Sequence, residues 1–450
     1  MTTPDLPSDN RPAPVSLAQA LPFWLKLGFI SFGGPAGQIA ILHRELVEQR
    51  RWISERRFLH ALNYCMLLPG PEAQQLATYI GWLMHRTPGA LVAGGLFVLP
   101  SLFILIALSW VYMAFGHVSW VAALLYGIKP AVMALVLHAA WRIGKRTLHN
   151  AWLWGIALAA FVALFALQLP FPAIIAGAAA LGWLGAHVAP QYFAGGGHAK
   201  GKQAANIGAA LIDDDTPTPA HARWSPAQLA RVVAPGLALW AIPLALLTLA
   251  WGWDHTFTQM GWFFTKAALL TFGGAYAVLP YVYQGAVQHF GWLTAGQMMD
   301  GLALGETTPG PLIMVVAFVG FVGGWSQQLL GADAPFLAGA LAATLVTWFT
   351  FLPSFVFILA GGPLVEATHG QWKLTAPLTA ITAAVVGVIV NLALFFGLHV
   401  LWPQGLQHAP DLAACAIALA ATVALVRFER NAIHVIAACA LAGLAFKTFF

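Results

Sequence analysis

Long apolar runs separated by short polar stretches fill most of this chain. About thirteen of them approach the roughly 20 residues that a membrane-spanning helix needs, and they lie near 20–42, 61–84, 89–115, 119–141, 151–168, 171–189, 230–251, 261–285, 296–325, 334–360, 374–401, 410–427 and 430–449. One longer polar stretch, 191–228, interrupts them. The pattern predicts an all-α polytopic membrane protein with a polar tail over 1–17, a first unit over 18–190, a flexible linker over 191–228 and a second unit over 229–450.

Composition excludes a soluble globular protein. Only 8% of the 450 residues are charged, and 60% are hydrophobic, whereas about 25% of the residues of a soluble domain are charged. The net charge of +5 comes from basic residues in the loops, so it indicates membrane topology rather than nucleic-acid binding. The three cysteines and fifteen histidines have no metal-ligand spacing, so we predict neither a metal nor a cofactor.

The chain contains an internal duplication. Phe32-Gly33-Gly34 recurs 240 positions later as Phe272-Gly273-Gly274, and Pro69-Gly70-Pro71 recurs as Pro309-Gly310-Pro311. A second block recurs at an offset of 253, with Leu99-Pro100-Ser101 returning as Leu352-Pro353-Ser354. Many transporters are built from such repeats, with the substrate site where the two copies meet.

The two copies are expected to have opposite orientations. The first copy starts at the first apolar segment and the second at the eighth, so seven segments separate equivalent elements. The loop after the first segment is rich in arginine, whereas its counterpart, 285–296, contains neither Lys nor Arg. The positive-inside rule places two such loops on opposite sides of the membrane. The arginines are Arg44, Arg50, Arg51, Arg56 and Arg57.

The number of true spans has two interpretations. Thirteen plain spans would put the arginine-rich loop 43–60 opposite the other basic loops, such as that of Arg142 and Lys145. All basic loops share one side if the first, second, eighth and ninth segments are re-entrant, each of which contains one of the Gly-Gly or Pro-Gly-Pro motifs. We favour about nine true spans and four broken or re-entrant segments.

The Gly-Gly and Pro-Gly-Pro motifs are the strongest candidates for a substrate site. A proline inside a helix removes a hydrogen bond and breaks the helix, and free backbone groups at membrane depth are tolerated only against protein or a water-filled cavity. A new helix start offers unpaired N–H groups that suit an anion. The alternative is a simple kink. The predicted substrate-binding residues from these motifs are Gly33, Gly34, Pro69, Gly70, Pro71, Gly273, Gly274, Pro309, Gly310 and Pro311, with Gln75 and Thr308 as neighbouring hydrogen-bonding groups.

Three lysines in apolar segments are further candidates for anion contact. Lys26 and Lys266 are repeat equivalents and would present two cations to a divalent anion. The alternative is that both reach to the membrane interface. Lys129 has no charged equivalent, and we expect it to contact an anion or to pair with Glu72 or Glu306.

Glu72 and Glu306 flank the two Pro-Gly-Pro motifs but are not repeat equivalents. A buried carboxylate can take up and release a proton near neutral pH, so we assign both to proton coupling. A fixed ion pair with a lysine is the alternative.

The quoted motifs resemble those of the chromate ion transporter family, in its long two-domain form. The resemblance rests on Ser31-Phe32-Gly33-Gly34-Pro35, Leu68-Pro69-Gly70-Pro71-Glu72, Thr271-Phe272-Gly273-Gly274, Glu306-Thr307-Thr308-Pro309-Gly310-Pro311 and Leu352-Pro353-Ser354. It implies export of chromate from the bacterial cytoplasm across the inner membrane, driven by the proton gradient or the membrane potential, which gives chromate resistance. It also implies sulfate as a competing analogue.

Two other transport functions remain open, an uptake carrier for sulfate or another oxyanion and a passive anion channel. A membrane-embedded enzyme is not expected, because His138 and the scattered cysteines offer neither a redox centre nor a nucleophile–base pair at membrane depth. The sequence also has no P-loop, nucleophile elbow or kinase signature, so nucleotide-driven pumping by this chain is not expected. The expected partners are the small anions and the lipid bilayer, without nucleic acid, and a homodimer is left open.

Overall fold

The protein is helical throughout the part described by the computed structural model, which covers residues 12–32, 34–116, 118–193, 209–217, 219–367 and 375–449. The first half contains α1 (Leu17–Ile30), α2 (Gly34–His43), α3 (Glu55–Leu67), α4 (Glu72–Phe115), α5 (Ser119–Thr147), α6 (Ala151–Phe165), α7 (Phe171–Val188) and the short α8 (Pro190–Phe193). The second contains α9 (Pro226–Trp251), α10 (Thr256–Leu269), α11 (Ala275–Tyr283), α12 (Ala295–Thr307), α13 (Val315–Ser326), α14 (Pro335–Ala367), α15 (Thr375–Leu401), α16 (Leu412–Val426) and α17 (Ala432–Phe449).

The four motif-bearing segments are broken helices, as predicted. The first Gly-Gly separates α1 from α2, and the second separates α10 from α11. The Pro-Gly-Pro motifs separate α3 from α4, and α12 from a short 3₁₀ turn that leads into α13. The other nine apolar segments are unbroken over their described residues, and the segment at 89–115 forms the part of α4 beyond a kink at His85 and Arg86.

Seven of the described helices are long and apolar enough to cross a membrane, and α6 and α16 are shorter apolar helices of 15 residues each. The prediction of an all-α polytopic protein is thus confirmed.

The duplication extends to details of helix geometry. A one-turn π-helix follows α2 at Arg44–Gln49, and another follows α11 at Gln284–His289. The two lie 240 positions apart, the same offset as the repeated motifs. Helices α3 and α12 likewise begin at equivalent residues, each capped by a hydroxyl side chain, Ser54 in one and Thr294 in the other. Among the described helices, α9 has no counterpart in the first half, so it is an additional helix placed before the second copy.

The two halves interlock rather than lie side by side. Helix α5 of the first half packs on α16 and α17 of the second, and α15 of the second half packs on α6 and α7 of the first. Small residues allow the close approach: Gly127 of α5 lies against the backbone of Cys439 and Gly443, and Gly387 of α15 lies against the backbone of Ala157. Residues of both halves therefore share one core.

Contacts at the ends of the broken segments agree with a re-entrant path. The His85 ring contacts the carbonyl oxygen of Val15 at 2.7 Å, so the end of the first part of α4 lies beside the start of α1. Glu366 accepts a hydrogen bond from Tyr79 at 2.6 Å and lies 3.8 Å from Arg57 at the start of α3. The starts of α1 and α3 thus lie near the far end of the same helical segment, while re-entry into the membrane itself stays a prediction.

Part of the predicted linker, within residues 209–217, packs on the first half. Ser54 and Ile212 are joined by a backbone hydrogen bond of 3.0 Å, and the side chain of Ser54 also donates to Asp214 at 2.6 Å. Arg57 donates to the carbonyl oxygen of Thr216 at 2.6 Å. These hydrogen bonds, one from a hydroxyl to a carboxylate, one from an arginine to a carbonyl oxygen and the paired backbone groups, hold the segment on the arginine-rich loop. Residues 194–208, including Lys200 and Lys202, lie outside the described part.

Candidate functional site

The repeated motifs of the two halves bond directly to one another. Gly310 donates its backbone N–H to the carbonyl oxygen of Ser31 at 2.8 Å, just before the first Gly-Gly. Its equivalent, Gly70, donates to the carbonyl oxygen of Thr271 at 2.7 Å, just before the second Gly-Gly. Each Pro-Gly-Pro is therefore fixed to the helix break of the opposite half, and some of the freed backbone groups satisfy one another.

The Leu-Pro-Ser repeat completes this interlock. A side chain at Gly310, where φ is +103°, would collide with Ser101 of α4, and a side chain at Gly70, where φ is +131°, would collide with Ser354 of α14. Gln75 donates to the carbonyl oxygen of Pro69 at 2.8 Å and lies 3.4 Å from the Ser354 hydroxyl. The glycines are required by both backbone angle and space.

A cavity of about 470 Å³ opens beside the first helix break. Its inner wall includes Gly34 at the start of α2, and Tyr276 and Glu306 from the second half. Tyr276 donates a hydrogen bond to Glu306. His138 and Arg142 of α5 line the opposite wall. At about 30 Å³ per water molecule in the liquid, a cavity of this volume has room for several waters.

A second, more open cavity of about 630 Å³ adjoins the first, and we name it the basic vestibule. Both cavities share His138, Arg142, Glu429 and Arg430 in their walls. The vestibule adds Lys145 and Arg146 from the last turns of α5. Four basic side chains against one carboxylate make the vestibule positive, which suits the attraction of anions.

The structure places the predicted glycines and prolines together but not all of them at the cavity. Gly34, with φ of +68°, lines it, whereas Gly33 lies outside the described residues. Gly273 and Gly274 both have positive φ at the second break. The remaining motif residues form the interlock around Gly70 and Gly310, namely Pro69, Pro71, Pro309 and Pro311, and Thr308 is buried there with its hydroxyl donating to the carbonyl oxygen of Gly305 at 3.2 Å.

The two predicted proton-coupling residues occupy different surroundings. Glu306 lines the cavity and is held by Tyr276, with Arg142 close enough to act on it electrostatically. Glu72 lies in the first turn of α4, half-buried, with Arg146 of the vestibule within electrostatic range. Both carboxylates are thus coupled to the basic residues of α5.

Lys26 and Lys266 lie on the outer faces of α1 and α10. The Lys26 side chain is 58% exposed and lies 3.9 Å from Glu45, whereas the ammonium of Lys266 lies 5.7 Å from the ring centre of Trp262. Neither lines the two cavities. Their positions favour the interfacial interpretation, and the paired-cation site stays a prediction.

The carboxylate that pairs with Lys129 is Asp300, not Glu72 or Glu306 as proposed from the sequence. The Lys129 ammonium lies 3.8 Å from Asp300, whose second contact is a hydrogen bond of 2.9 Å from the hydroxyl of Tyr112. The sequence analysis missed Asp300, although the signal was the same as for Glu306, a carboxylate inside an apolar segment. It also missed Tyr276 and assigned Arg142 only to topology.

The fold and the cavity together are typical of one class of membrane protein. An interlocked pair of repeats, broken helices at their junction and a positively charged water-accessible path are typical of multi-pass membrane transport proteins rather than enzymes. The sequence profile described as "Chromate transporter" matches residues 18–183 and 258–444. The chain belongs to the chromate transporter family, and the predicted family is confirmed.

Three relatives align over most of their lengths. The chromate transport protein of Pseudomonas aeruginosa is 32% identical over 98% of this chain and 94% of its own. The probable chromate transport protein of Synechococcus elongatus is 28% identical over 90% and 89%, and the chromate transport protein of Cupriavidus metallidurans is 28% identical over 95% and 93%. No solved structure matches this chain.

Proposed function

We propose that this protein is a secondary active transporter that exports chromate across the bacterial inner membrane and thereby gives chromate resistance. The observation that carries the proposal is the pair of adjoining cavities between the basic residues of α5 and the helix break at Gly34, with Arg142 in the walls of both. The family and the names of the relatives supply the substrate class. Sulfate, a tetrahedral dianion of similar shape, is the expected competitor.

The electrostatics of the path suit a dianion. Arg142, Lys145 and Arg146 lie on successive turns at one end of α5, and Arg430 faces them from the loop between α16 and α17. Their field raises the local anion concentration, and at the inner end the start of α2 adds its unpaired N–H groups. The anion would remain hydrated in the vestibule and exchange water for these donors near Gly34.

Proton coupling is assigned to the carboxylates that border this path. Glu306 would repel a dianion while it is ionised, so uptake at Glu306 of a proton that comes from the external side favours anion entry, and release of that proton to the vestibule side drives the anion onward, so that one proton moves inward as one anion moves outward. Glu72 acts on the same basic residues through Arg146. A gradient of protons can therefore drive net movement of the anion.

The substrate-binding set that we propose combines the motif residues with Lys129 and the vestibule arginines. Gly34 and Glu306 line the cavity, and the Pro-Gly-Pro glycines bond to the backbone just before the two helix breaks. Export with the vestibule on the cytoplasmic side agrees with the basic loops that the positive-inside rule puts there.

The deciding experiment is chromate flux in everted membrane vesicles that contain this protein, with a proton gradient imposed or collapsed. Accumulation that needs the gradient and is inhibited by sulfate is the expected result. Flux that continues at the full rate without the gradient would indicate a passive channel. If the protein makes cells more sensitive to chromate, it is an uptake carrier. If vesicles that contain the protein accumulate no more chromate than vesicles without it, the proposal of chromate transport is overturned.

A further inference from the structure

A second ionic cluster lies away from the cavity, where α5 and α12 meet. Asp300 of α12 is 2% exposed, yet only one of its two carboxylate oxygens has a hydrogen-bond partner, Tyr112. Lys129 of α5 lies at 3.8 Å, and its side chain is 34% exposed. A buried carboxylate with one oxygen that accepts no hydrogen bond, and with only a long ion pair, lowers the stability of the folded protein. Such an arrangement is therefore expected to serve a function.

The position of the cluster continues the anion path. Asp300 precedes Glu306 by six residues on α12, which corresponds to roughly 9 Å along a helix. Lys129 also lies beside the first turn of α12, because a side chain added at Gly296 would be 3.7 Å from its ammonium. That turn follows loop 285–296, which we expect on the external side. The cluster thus lies toward the side opposite the vestibule.

We propose that Lys129 and the first turn of α12 form an exit-side oxyanion site that the carboxylate of Asp300 occupies when no anion is present. This inference rests on the proposed function. An arriving dianion takes the ammonium of Lys129 from Asp300. Asp300 would then be an unpaired charge in the interior, so it takes up one proton from the external side while Tyr112 retains its hydrogen bond. Release of the anion to the external side returns Lys129 to Asp300, which gives up the proton toward Glu306 and the vestibule, so that one proton moves inward for each anion exported.

Few titratable side chains lie close enough to Asp300 to take part in this change of ion-pair partner. Among the described residues, Tyr112 from α4 and Lys129 from α5 are the titratable side chains that act on Asp300. The position equivalent to Asp300 in the first half is His60, whose ring contacts the carbonyl oxygen of Val365 on α14. The corresponding contact, between α3 of the first half and α14 of the second, instead has a cluster of Arg57, Tyr79 and Glu366, which offers a matched control.

The test compares two kinds of flux in vesicles, chromate-for-chromate exchange without a gradient and accumulation driven by the proton gradient. Asp300→Asn should retain exchange within about twofold of the unmodified protein but lose gradient-driven accumulation by tenfold or more, because the amide cannot carry the proton. Lys129→Gln should lose both. Glu366→Gln should retain both. Because chromate itself gains a proton near neutral pH, all variants are compared at the same pH.

The outcomes separate this inference from the proposed function. An unmodified protein that exchanges no chromate would overturn the proposed function, and the inference with it. Exchange by the unmodified protein together with gradient-driven accumulation by Asp300→Asn would overturn the inference alone. Loss of both fluxes in Asp300→Asn, when Asp300→Glu restores neither and both variants melt at the temperature of the unmodified protein, would also overturn it.

Discussion

The backbone N–H of Gly310 lies 2.8 Å from the carbonyl oxygen of Ser31, which joins the second Pro-Gly-Pro to the first Gly-Gly across the junction of the two halves. The same bond recurs between Gly70 and Thr271 at 2.7 Å. This reciprocal pair explains why both motifs are duplicated together. Each break exposes backbone groups that the other half satisfies, so neither half is complete without the other.

The substitution Gly310→Ala should destabilise the protein and lower chromate flux. A positive φ of +103° costs about 1–3 kcal/mol for a residue with a side chain, and the added methyl group would lie 2.7 Å from the Cβ of Ser101. The melting temperature in detergent and vesicle flux measure the effect. Adding Ser101→Gly should restore part of the stability, and Gly95→Ala on α4, which meets open space, should be neutral. Equal melting of Gly310→Ala and Gly95→Ala would contradict the interlock.

The substitution Arg142→Gln should raise the KM for chromate about tenfold or more, because a charge-assisted hydrogen bond contributes about 1.5–3 kcal/mol. Initial flux rates over a range of chromate concentrations provide the measurement. The difference from the unmodified protein should shrink as salt is added, since exposed charges are screened beyond about 8 Å at physiological ionic strength. A KM that Arg142→Gln leaves unchanged at low salt would exclude the vestibule as the route.

The substitution Glu306→Gln should flatten the pH dependence of chromate binding from the vestibule side. In the unmodified protein, the apparent affinity should fall as the pH rises, because ionised Glu306 repels the anion. Charges of one and two about 8 Å apart in water repel by ~1 kcal/mol, which corresponds to about fivefold in affinity. The KM at several pH values, compared between the two proteins, is the readout. Identical pH profiles would remove Glu306 from the coupling mechanism.

Replacing Lys26 and Lys266 together by glutamine distinguishes the two interpretations of this pair. Because both side chains are exposed and lie outside the cavities, we expect the KM to change less than twofold. The paired-cation site predicts that each single replacement impairs flux. A tenfold rise in KM for both single variants would therefore restore the lysines to the substrate site.

Reporter fusions test the re-entrant topology. Reporters placed within 43–60 at the non-helical residues 50–54, and within 143–150 at residues 148–150 beyond the end of α5, should lie on the same side of the membrane, because the cavity beside Ile41 at the end of α2 is also lined by Arg142 and Arg430. A reporter in loop 285–296 should lie on the opposite side. Thirteen plain spans require the first two loops to lie on opposite sides.

Much of the fold was predictable because its causes are local. The length of the apolar runs and the scarcity of charge required a polytopic helical protein, and the glycines and prolines required helix breaks at four positions. The duplicated motifs pointed to a junction between two copies. The linker was harder to predict, because its polar composition does not show that Asp214 docks on Ser54.

The site was predictable only in part, since it depends on contacts between residues distant in sequence. The chain by itself determined the membrane class, the duplication and the residues at which the helices break. Only the tertiary structure decided that each Pro-Gly-Pro bonds to the opposite half, that Arg142 and Glu306 face one cavity and that Lys129 pairs with Asp300. Local sequence sets backbone geometry through φ and missing N–H groups, whereas the partner of a buried charge depends on helix packing over hundreds of residues.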